Sequence, residues 1–141
     1  VCDAEYLLFL HTNQSGVARG FFEISDVQAC NQKMLHEYGW SENIFTEICI
    51  ATELPRETDG YRKPSPRFEE EMILKHDLNP SDCWVVGDKW IDAQTGLAAG
   101  MRGALVCTGK DIDESVKILA MQNNVPIHPS LVDFVNFELD L

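Results

Sequence analysis

Three short polar clusters contain the side chains of this sequence that are best suited to chemistry. Thr12-Asn-Gln-Ser-Gly16 offers hydroxyl and amide groups, and Arg62-Lys-Pro64 offers two cations. Gly87-Asp-Lys89, followed by Asp92, offers carboxylates beside a further cation. Hydroxyl, amide and cationic groups donate hydrogen bonds to anions, whereas carboxylates bind hard metal ions. Taken singly, each cluster is also typical of an ordinary turn or a solvated surface.

An apolar run lies ahead of each cluster and predicts a strand that positions it. Residues 6–10 (YLLFL), 48–51 (ICIA) and 83–86 (CWVV) are short and apolar, as buried parallel strands are. A polar loop over residues 52–61 separates the second run from Arg62. In open parallel α/β sheets the ligand site lies beyond the carboxyl ends of the strands. The three clusters are therefore expected to follow strand ends.

Helices are predicted between the strands. Strands that alternate with helices form right-handed crossover units. The sequence thus predicts an α/β fold, a Rossmann-like parallel sheet with helices on both faces. Residues 129–141 fit either a short helix or an edge strand. The first predicted helix reaches about residue 38, with Ser25 or Asp26 as its cap and Gly39 at its end. A second helix is predicted to begin at Pro66, and two more are predicted at 91–99 and 113–121. A fourth strand is predicted at 104–107.

Length and composition limit the class of protein. The 141 residues, 45% of them hydrophobic, predict a single domain over 1–141. No apolar run approaches the roughly 18 residues that cross a bilayer, so no membrane span is predicted. The five scattered cysteines are expected to be reduced core residues of a cytoplasmic protein. A net charge of −12 disfavours binding to the phosphate backbone of a nucleic acid, and the composition does not indicate an oligomeric state.

Together the clusters resemble the haloacid dehalogenase (HAD) superfamily. The motifs T-N-Q-S-G-x-x-R-G from Thr12, R-K-P from Arg62 and G-D-K-x-x-D from Gly87 are similar to the branch that contains heptose-bisphosphate phosphatase and histidinol-phosphate phosphatase. The resemblance covers roughly residues 6–110. It implies a magnesium-dependent phosphatase that hydrolyses a small sugar or polyol phosphate through an aspartyl-phosphate.

The resemblance also implies roles for individual residues toward the phosphate. A phosphoryl group in transfer spreads negative charge over its oxygens, so the site needs aimed donors and a cation. By resemblance, the Thr12 hydroxyl and the Lys63 ammonium supply them, and Asn13 positions the phosphate or the nucleophile. Arg62 and Lys89 are expected to bind the rest of the substrate.

Two carboxylates are implied at the metal. Asp88 is the expected Mg²⁺ ligand, since Mg²⁺ prefers carboxylate oxygens and keeps several waters. Asp92 is expected either to bind an outer-shell water of the metal or to hold Lys63. Relatives often carry a zinc-binding loop before Arg-Lys-Pro. The corresponding stretches here, Cys49-Ile-Ala51 and Asp59-Gly-Tyr61, contain one candidate ligand, so no zinc is predicted.

The nucleophile of the superfamily, the first aspartate of a strand-terminal D-x-D, has no match in the sequence. Asp111-Ile-Asp113 has the spacing but is better suited to the start of a helix. The fold is therefore expected to lack a first strand, central between those of Thr12 and Asp88, and residues before Val1 are expected to supply it. The alternatives are an inactive phosphate-binding or partner-binding domain and a nucleic-acid 3′-phosphatase, which shares the Tyr-Arg-Lys-Pro pattern; the acidic charge disfavours the latter.

Overall fold

The structure, a computed structural model, describes residues 6–57, 59–139 and 141. These residues form two compact units that divide between Arg62 and Lys63, here called unit 1 and unit 2. Each unit contains its own parallel sheet flanked by helices in the sequence. The single-domain organisation expected for residues 1–141 stays a prediction.

Unit 1 is built on two parallel strands, β1 (Phe9–Asn13) and β2 (Glu47–Ala51). The chain between them forms a short helix, α1 (Ser15–Ala18), and a longer one, α2 (Ile24–Glu37). This strand, helix, strand order is the crossover unit that the alternating pattern predicted.

The first strand lies further along the chain than predicted. Residues 6–8 are not in a strand, and Thr12 and Asn13 are the last residues of β1 rather than the start of a loop. The reason is pairing with β2: Asn13 is in register with Ala51, and the Gln14 backbone N–H donates to Ala51 O at 2.6 Å. A neighbouring strand thus extends β1 through residues whose polar side chains suggested a loop.

The boundaries of α2 differ from the prediction at one end only. Glu23 is the N-cap residue, and its backbone N–H donates to Asp26 Oδ2 at 2.8 Å, so Asp26 lies within the first turn instead of capping. A carboxylate in that position also faces the positive end of the helix dipole. At the other end Gly39, with φ of 64°, adopts the left-handed conformation that commonly ends a helix, as predicted.

Unit 2 contains a three-stranded parallel sheet in the order β3-β4-β5. The predicted helices at 91–99 and 113–121 and the predicted strands at 83–86 and 104–107 are confirmed to within two residues at each end. Its elements are α3 (Arg67–Lys75), β3 (Trp84–Gly87), α4 (Trp90–Ala98), β4 (Arg102–Val106), α5 (Glu114–Gln122), β5 (Ile127–His128) and α6 (Leu131–Glu138).

The core of unit 2 lies on both faces of the central strand β4. Leu105 packs with Ala93 of α4 and Ala120 of α5, and all three are almost fully buried. Ala104 and Val106 pack instead with Phe134 of α6. Because successive strand residues point to opposite faces, α4 and α5 cover one face of this sheet and α6 covers the other. Helices on both faces of a parallel sheet are thus confirmed for unit 2.

The segment that the sequence left open, residues 129–141, contains a helix, and a short strand that the sequence did not predict precedes it. Residues 127–128 form β5, which pairs with β4, and residues 131–138 form α6. Ser130 caps α6 by accepting the Asp133 backbone N–H at 3.2 Å. A two-residue strand has no periodicity of its own, so only its pairing with β4 identifies it.

The expected central strand stays a prediction. The described strands form two separate sheets, one that ends with Thr12 and Asn13 and one whose strand β3 directly precedes Asp88. No helix in the described part of the chain is long and apolar enough to cross a membrane.

The cysteines differ from the prediction in their burial. Of the four that the structure describes, Cys30, Cys49, Cys83 and Cys107, all are free thiols. Cys30 and Cys107 are exposed, and Cys49 and Cys83 are half-buried, so these four are not core residues. Cys107 belongs to the apolar run 104–107, but β4 ends at Val106. Cys107 is therefore the first residue after the strand, and its place in an apolar run did not make it buried.

Candidate functional site

Thr12 and Asn13 end the strand β1 of unit 1, and both are half-buried. The Gln14 side chain donates from Nε2 to Thr12 Oγ1 at 3.0 Å. A hydroxyl accepts and donates at once, so accepting this bond leaves its own O–H as the donor. The contact therefore leaves the O–H of Thr12 able to donate to another group. The sequence motif contains Gln14, but its role is visible only in the structure.

The loop before Arg62 is held at Tyr61, whose backbone N–H and C=O each contact a side chain. The Tyr61 backbone N–H donates to Glu53 Oε1 at 2.7 Å. His11 Nε2 lies 2.7 Å from Tyr61 O, and since a carbonyl only accepts, this nitrogen carries the proton. Arg62, half-buried, is the next residue in the chain. Neither His11 nor Glu53 was among the predicted site residues. His11 lies 50 positions and Glu53 lies 8 positions from Tyr61 in the chain, and no local pattern in the sequence links either of them to it.

Lys63 and Asp92 form an ion pair inside unit 2. Lys63 Nζ lies 2.7 Å from Asp92 Oδ1, and the two side chains are 12% and 9% exposed. Such a pair loses hydration but gains a short charge-assisted contact, and it fixes an ammonium group in one place. Two roles were expected for Asp92, and this contact supports the one in which Asp92 holds Lys63.

The second oxygen of Asp92 is also engaged. Asp92 Oδ2 accepts the Lys89 backbone N–H at 3.1 Å, which joins the start of α4 to its own first turn. A Cβ on Gly87 would overlap Oδ2, Cβ and Cγ of Asp92, so glycine at 87 makes room for this carboxylate. Lys89 is itself exposed. A metal-binding role for Asp92 stays a prediction.

Asp88 follows β3 directly, as the sequence predicted, and the structure shows it to be half-buried. Among the described residues, no group of three or more His, Cys, Asp or Glu side chains could hold a metal ion. Mg²⁺ commonly binds through one or two carboxylates, with waters and substrate phosphate in the other positions. Asp88 therefore suits Mg²⁺ as one hard oxygen ligand, not as part of an all-protein cage.

Asp113 caps α5, as predicted for the Asp111-Ile-Asp113 stretch. Its Oδ1 accepts the Ser115 hydroxyl at 2.5 Å and the Val116 backbone N–H at 3.0 Å. These hydrogen bonds, the one from Ser115 first, lower the pKa of the Asp113 carboxyl. Asp113 lies before a helix and not at the end of a strand, so this D-x-D differs from a strand-terminal pair.

Most of unit 2 matches the sequence model of a known protein family. The model of HAD-hydrolase-like proteins matches residues 60–134, which include Lys63, Asp88 and Asp92. The chain belongs to the HAD-hydrolase-like family. The match within this family covers more than half of the chain and most of unit 2.

Individual members of the HAD-hydrolase-like family are similar along much of the chain. A D-glycero-β-D-manno-heptose-1,7-bisphosphate 7-phosphatase of Neisseria meningitidis is 31% identical over 107 residues, 76% of this chain and 57% of its own length. The phosphatase of that name from Rhodopseudomonas palustris is 32% identical over 124 residues, 81% of this chain and 67% of its own. The chain thus spans little more than half of the Neisseria relative.

A solved structure of the same family is similar in fold. The D,D-heptose 1,7-bisphosphate phosphatase of Bordetella bronchiseptica, crystallised with magnesium and phosphate, has a TM-score of 0.81 to this chain at 25% identity. The similarity covers 98% of this chain and 76% of that one. The HAD-like fold and family branch that the motifs suggested are therefore confirmed.

The predicted site residues are distributed over both units. Unit 1 contains Thr12, Asn13 and Arg62, and unit 2 contains Lys63, Asp88, Lys89 and Asp92. Within unit 2 the structure joins Lys63, Lys89 and Asp92 through a single carboxylate. The individual roles implied for these seven residues stay predictions.

Proposed function

We propose that the protein is a magnesium-dependent phosphatase that hydrolyses a small phosphorylated sugar or polyol through an aspartyl-phosphate. The observation that carries this proposal is the Lys63–Asp92 ion pair, which fixes a nearly buried ammonium group. Phosphoryl transfer depends mainly on positioned positive charge around the phosphate oxygens. A cation that is already fixed needs no reorganisation when charge develops, so this pair suits that reaction.

The groups of unit 1 are proposed to act on the phosphate and on the rest of the substrate. The Thr12 hydroxyl, oriented by Gln14, donates to a phosphate oxygen, and Asn13 positions the phosphate or the nucleophile. Arg62, which follows Tyr61, a residue whose backbone is held by two side chains, binds an oxygen-rich group of the substrate. A guanidinium presents a planar fork of donors, which suits two fixed acceptors.

The groups of unit 2 are proposed to stabilise the negative charge of the phosphoryl group and to bind Mg²⁺. Lys63 stabilises the transferring phosphoryl group, and Asp92 is a positioning residue that acts through Lys63. Asp88 contributes a carboxylate to Mg²⁺, which when bound supplies Lewis-acid stabilisation of phosphate oxygens. Lys89, exposed at the start of α4, faces the substrate.

The nucleophilic aspartate is proposed to lie outside this chain. Its carboxylate attacks phosphorus and the P–O ester bond breaks, while a general acid, by resemblance the second aspartate of the D-x-D motif, protonates the leaving oxygen. Water, deprotonated by the same group, then hydrolyses the acyl-phosphate, which releases phosphate and restores the carboxylate. Asp113 is not a candidate because both of its described hydrogen bonds serve the start of α5. The family relatives are named for a heptose bisphosphate, which makes that compound the first substrate to test.

The test measures phosphate release by the protein expressed from its full reading frame. Asp88→Asn keeps the size of the side chain but removes its charge, so it should weaken Mg²⁺ binding and lower turnover by about 100-fold or more. D-glycero-β-D-manno-heptose 1,7-bisphosphate and a simple aryl phosphate serve as substrates, and Mg²⁺ affinity is measured by calorimetry.

Asp77→Asn is the matched control for this experiment. Asp77 is an exposed aspartate of unit 2 with φ of 51°, and asparagine accepts this left-handed conformation as well as aspartate does. The control should keep normal turnover and metal affinity. Normal values for Asp88→Asn would remove Asp88 from the site. Phosphate binding without turnover in the unmodified protein would favour the inactive-domain alternative.

The proposed function also includes a binding partner and a location in the cell. A small phosphorylated metabolite is the expected partner, and the net charge of −12 disfavours a nucleic acid. A cytoplasmic location is proposed because the four described cysteines are free thiols, as a reducing compartment keeps them.

A further inference from the structure

Gly109 lies in the turn between β4 and α5 and packs directly against Asp88. A Cβ atom on Gly109 would overlap Asp88 Oδ2 and would lie 2.6 Å from Cγ and 2.7 Å from Cβ of Asp88. Real Cβ atoms essentially never approach other heavy atoms within 3.0 Å. Because Asp88 Cβ is itself too close, turning the carboxylate about its Cβ–Cγ bond would not make room. The turn and the Asp88 side chain therefore fit together only with glycine at 109.

The need for glycine comes from this contact and not from the backbone. Among the described residues, the glycines with positive φ are Gly20, Gly39 and Gly100. Gly109 is not among them, so its backbone conformation is open to other residues. An alanine at 109 would thus act through its methyl group on Asp88.

Both partners of the contact are anchored to the sheet of unit 2. Asp88 follows β3 and the turn follows β4, and these strands pair in parallel, so both leave the sheet at the same end. At the start of the turn the Cys107 backbone N–H donates to His128 O at 3.0 Å. At its far end Asp113 caps α5 by accepting the Val116 N–H at 3.0 Å. A methyl group at 109 would therefore displace Asp88 more easily than the turn.

We propose that Gly109 is a positioning residue for Asp88: the β4–α5 turn confines the carboxylate to one orientation and so sets the affinity and selectivity of the magnesium site. This inference rests on the proposed function, in which Asp88 is a metal ligand. Mg²⁺ requires near-ideal octahedral geometry, whereas Ca²⁺ accepts 6–8 oxygens in a flexible arrangement. A misplaced carboxylate consequently weakens binding of Mg²⁺ more than binding of Ca²⁺.

The experiment measures binding of Mg²⁺ and Ca²⁺ by calorimetry, without substrate, to the protein expressed from its full reading frame. Gly109→Ala should raise the Kd for Mg²⁺ by about 10- to 100-fold, the range typical of groups that orient a metal ligand. The Kd for Ca²⁺ should rise several-fold less. A general loss of structure would weaken both ions alike, so the ratio of the two Kd values tests positioning.

Two control variants separate positioning from stability. Thr108→Ala changes the same exposed turn without adding a group beside Asp88, and it should keep both Kd values. Gly103→Ala adds a methyl group in β4 that would lie 3.0 Å from Ala93. It should lower the urea midpoint of unfolding without changing the Kd ratio. An equal change of that ratio in Gly103→Ala and Gly109→Ala would overturn the proposal.

A double variant keeps the test decisive if Gly109→Ala does not fold. Asp88→Gly removes the three atoms that the new methyl group would approach most closely, so Asp88→Gly with Gly109→Ala should fold and match the stability of Asp88→Gly alone. A double variant that remains unfolded would overturn the packing argument. If Asp88→Asn abolishes Mg²⁺ binding but Gly109→Ala binds both ions normally, the inference is wrong and the proposed function stands. Normal Mg²⁺ binding by Asp88→Asn would remove Asp88 from the metal site and would overturn this inference with it.

Discussion

Lys63 and Arg62 are adjacent in the chain but have different surroundings. Lys63 is fixed by a carboxylate 2.7 Å away. Arg62 instead follows Tyr61, whose backbone N–H and C=O contact Glu53 and His11. A compact ammonium suits charge that develops on a phosphoryl group, and a guanidinium fork suits a fixed pair of acceptors. These surroundings favour separate tasks for the two cations.

We expect this division to appear in the kinetics of methionine variants. Lys63→Met should lower kcat and kcat/KM together for every phosphate ester, because it removes stabilisation of the transition state. Arg62→Met should mainly lower kcat/KM for the sugar bisphosphate and have little effect on a simple aryl phosphate. Steady-state kinetics with both substrates measure this. Equal losses on both substrates in both variants would instead describe a shared phosphate clamp.

At the scale of single elements, the buried residue of α6 is the aromatic Phe134. Phe134 is 3% exposed, packs on Ala104 and Val106 of β4, and meets the Trp84 ring edge-on with centroids 5.3 Å apart. Phe134→Ala should lower the free energy of unfolding by about 3–5 kcal/mol, the usual loss for a buried phenylalanine. Urea denaturation measures this loss. Val132→Ala, on the same helix but 68% exposed, should change stability by less than about 0.5 kcal/mol.

The start of α5 should make stability depend on pH. Hydrogen bonds from Ser115 and Val116 lower the pKa of Asp113 in the folded protein. A lowered folded-state pKa stabilises the protein above the unfolded-state value, near 3.9, and this contribution disappears as the pH falls through the folded-state pKa. Asp113→Ala should therefore be less stable than wild type at pH 7, with a difference that shrinks below about pH 4. A difference independent of pH would exclude this charge effect.

At the scale of the whole molecule, the sequence contains no strand-terminal D-x-D motif. The 141-residue chain by itself should show no phosphatase turnover, since Asp113 caps a helix and cannot replace the nucleophile. Metal-dependent release of phosphate by that chain would show that another residue attacks phosphorus.

The charge should also decide between classes of substrate for the protein expressed from its full reading frame. A 3′-phosphorylated oligonucleotide carries many phosphates, which a protein with excess acidic residues repels. Its kcat/KM should therefore be at least about 100-fold below that of a sugar phosphate, and it should rise with salt as repulsion is screened. Preference for the oligonucleotide would favour the nucleic-acid 3′-phosphatase.

The sequence by itself determined the alternation of strands and helices in unit 2 and the position of Asp88 directly after β3. It also predicted the family, because motifs such as Gly87-Asp-Lys89 are contiguous in the chain. These features are local: burial periodicity and turn chemistry act within a few residues. Tertiary structure decided the rest, including the extension of β1 through Asn13, the ion pair between Lys63 and Asp92, and the contact of Gly109 with Asp88. Each of these joins residues far apart in the chain. The pairing of β1 with β2 extends β1, and the pairing of β3 with β4 brings the turn of Gly109 beside Asp88. Packing within unit 2 brings Lys63 to Asp92.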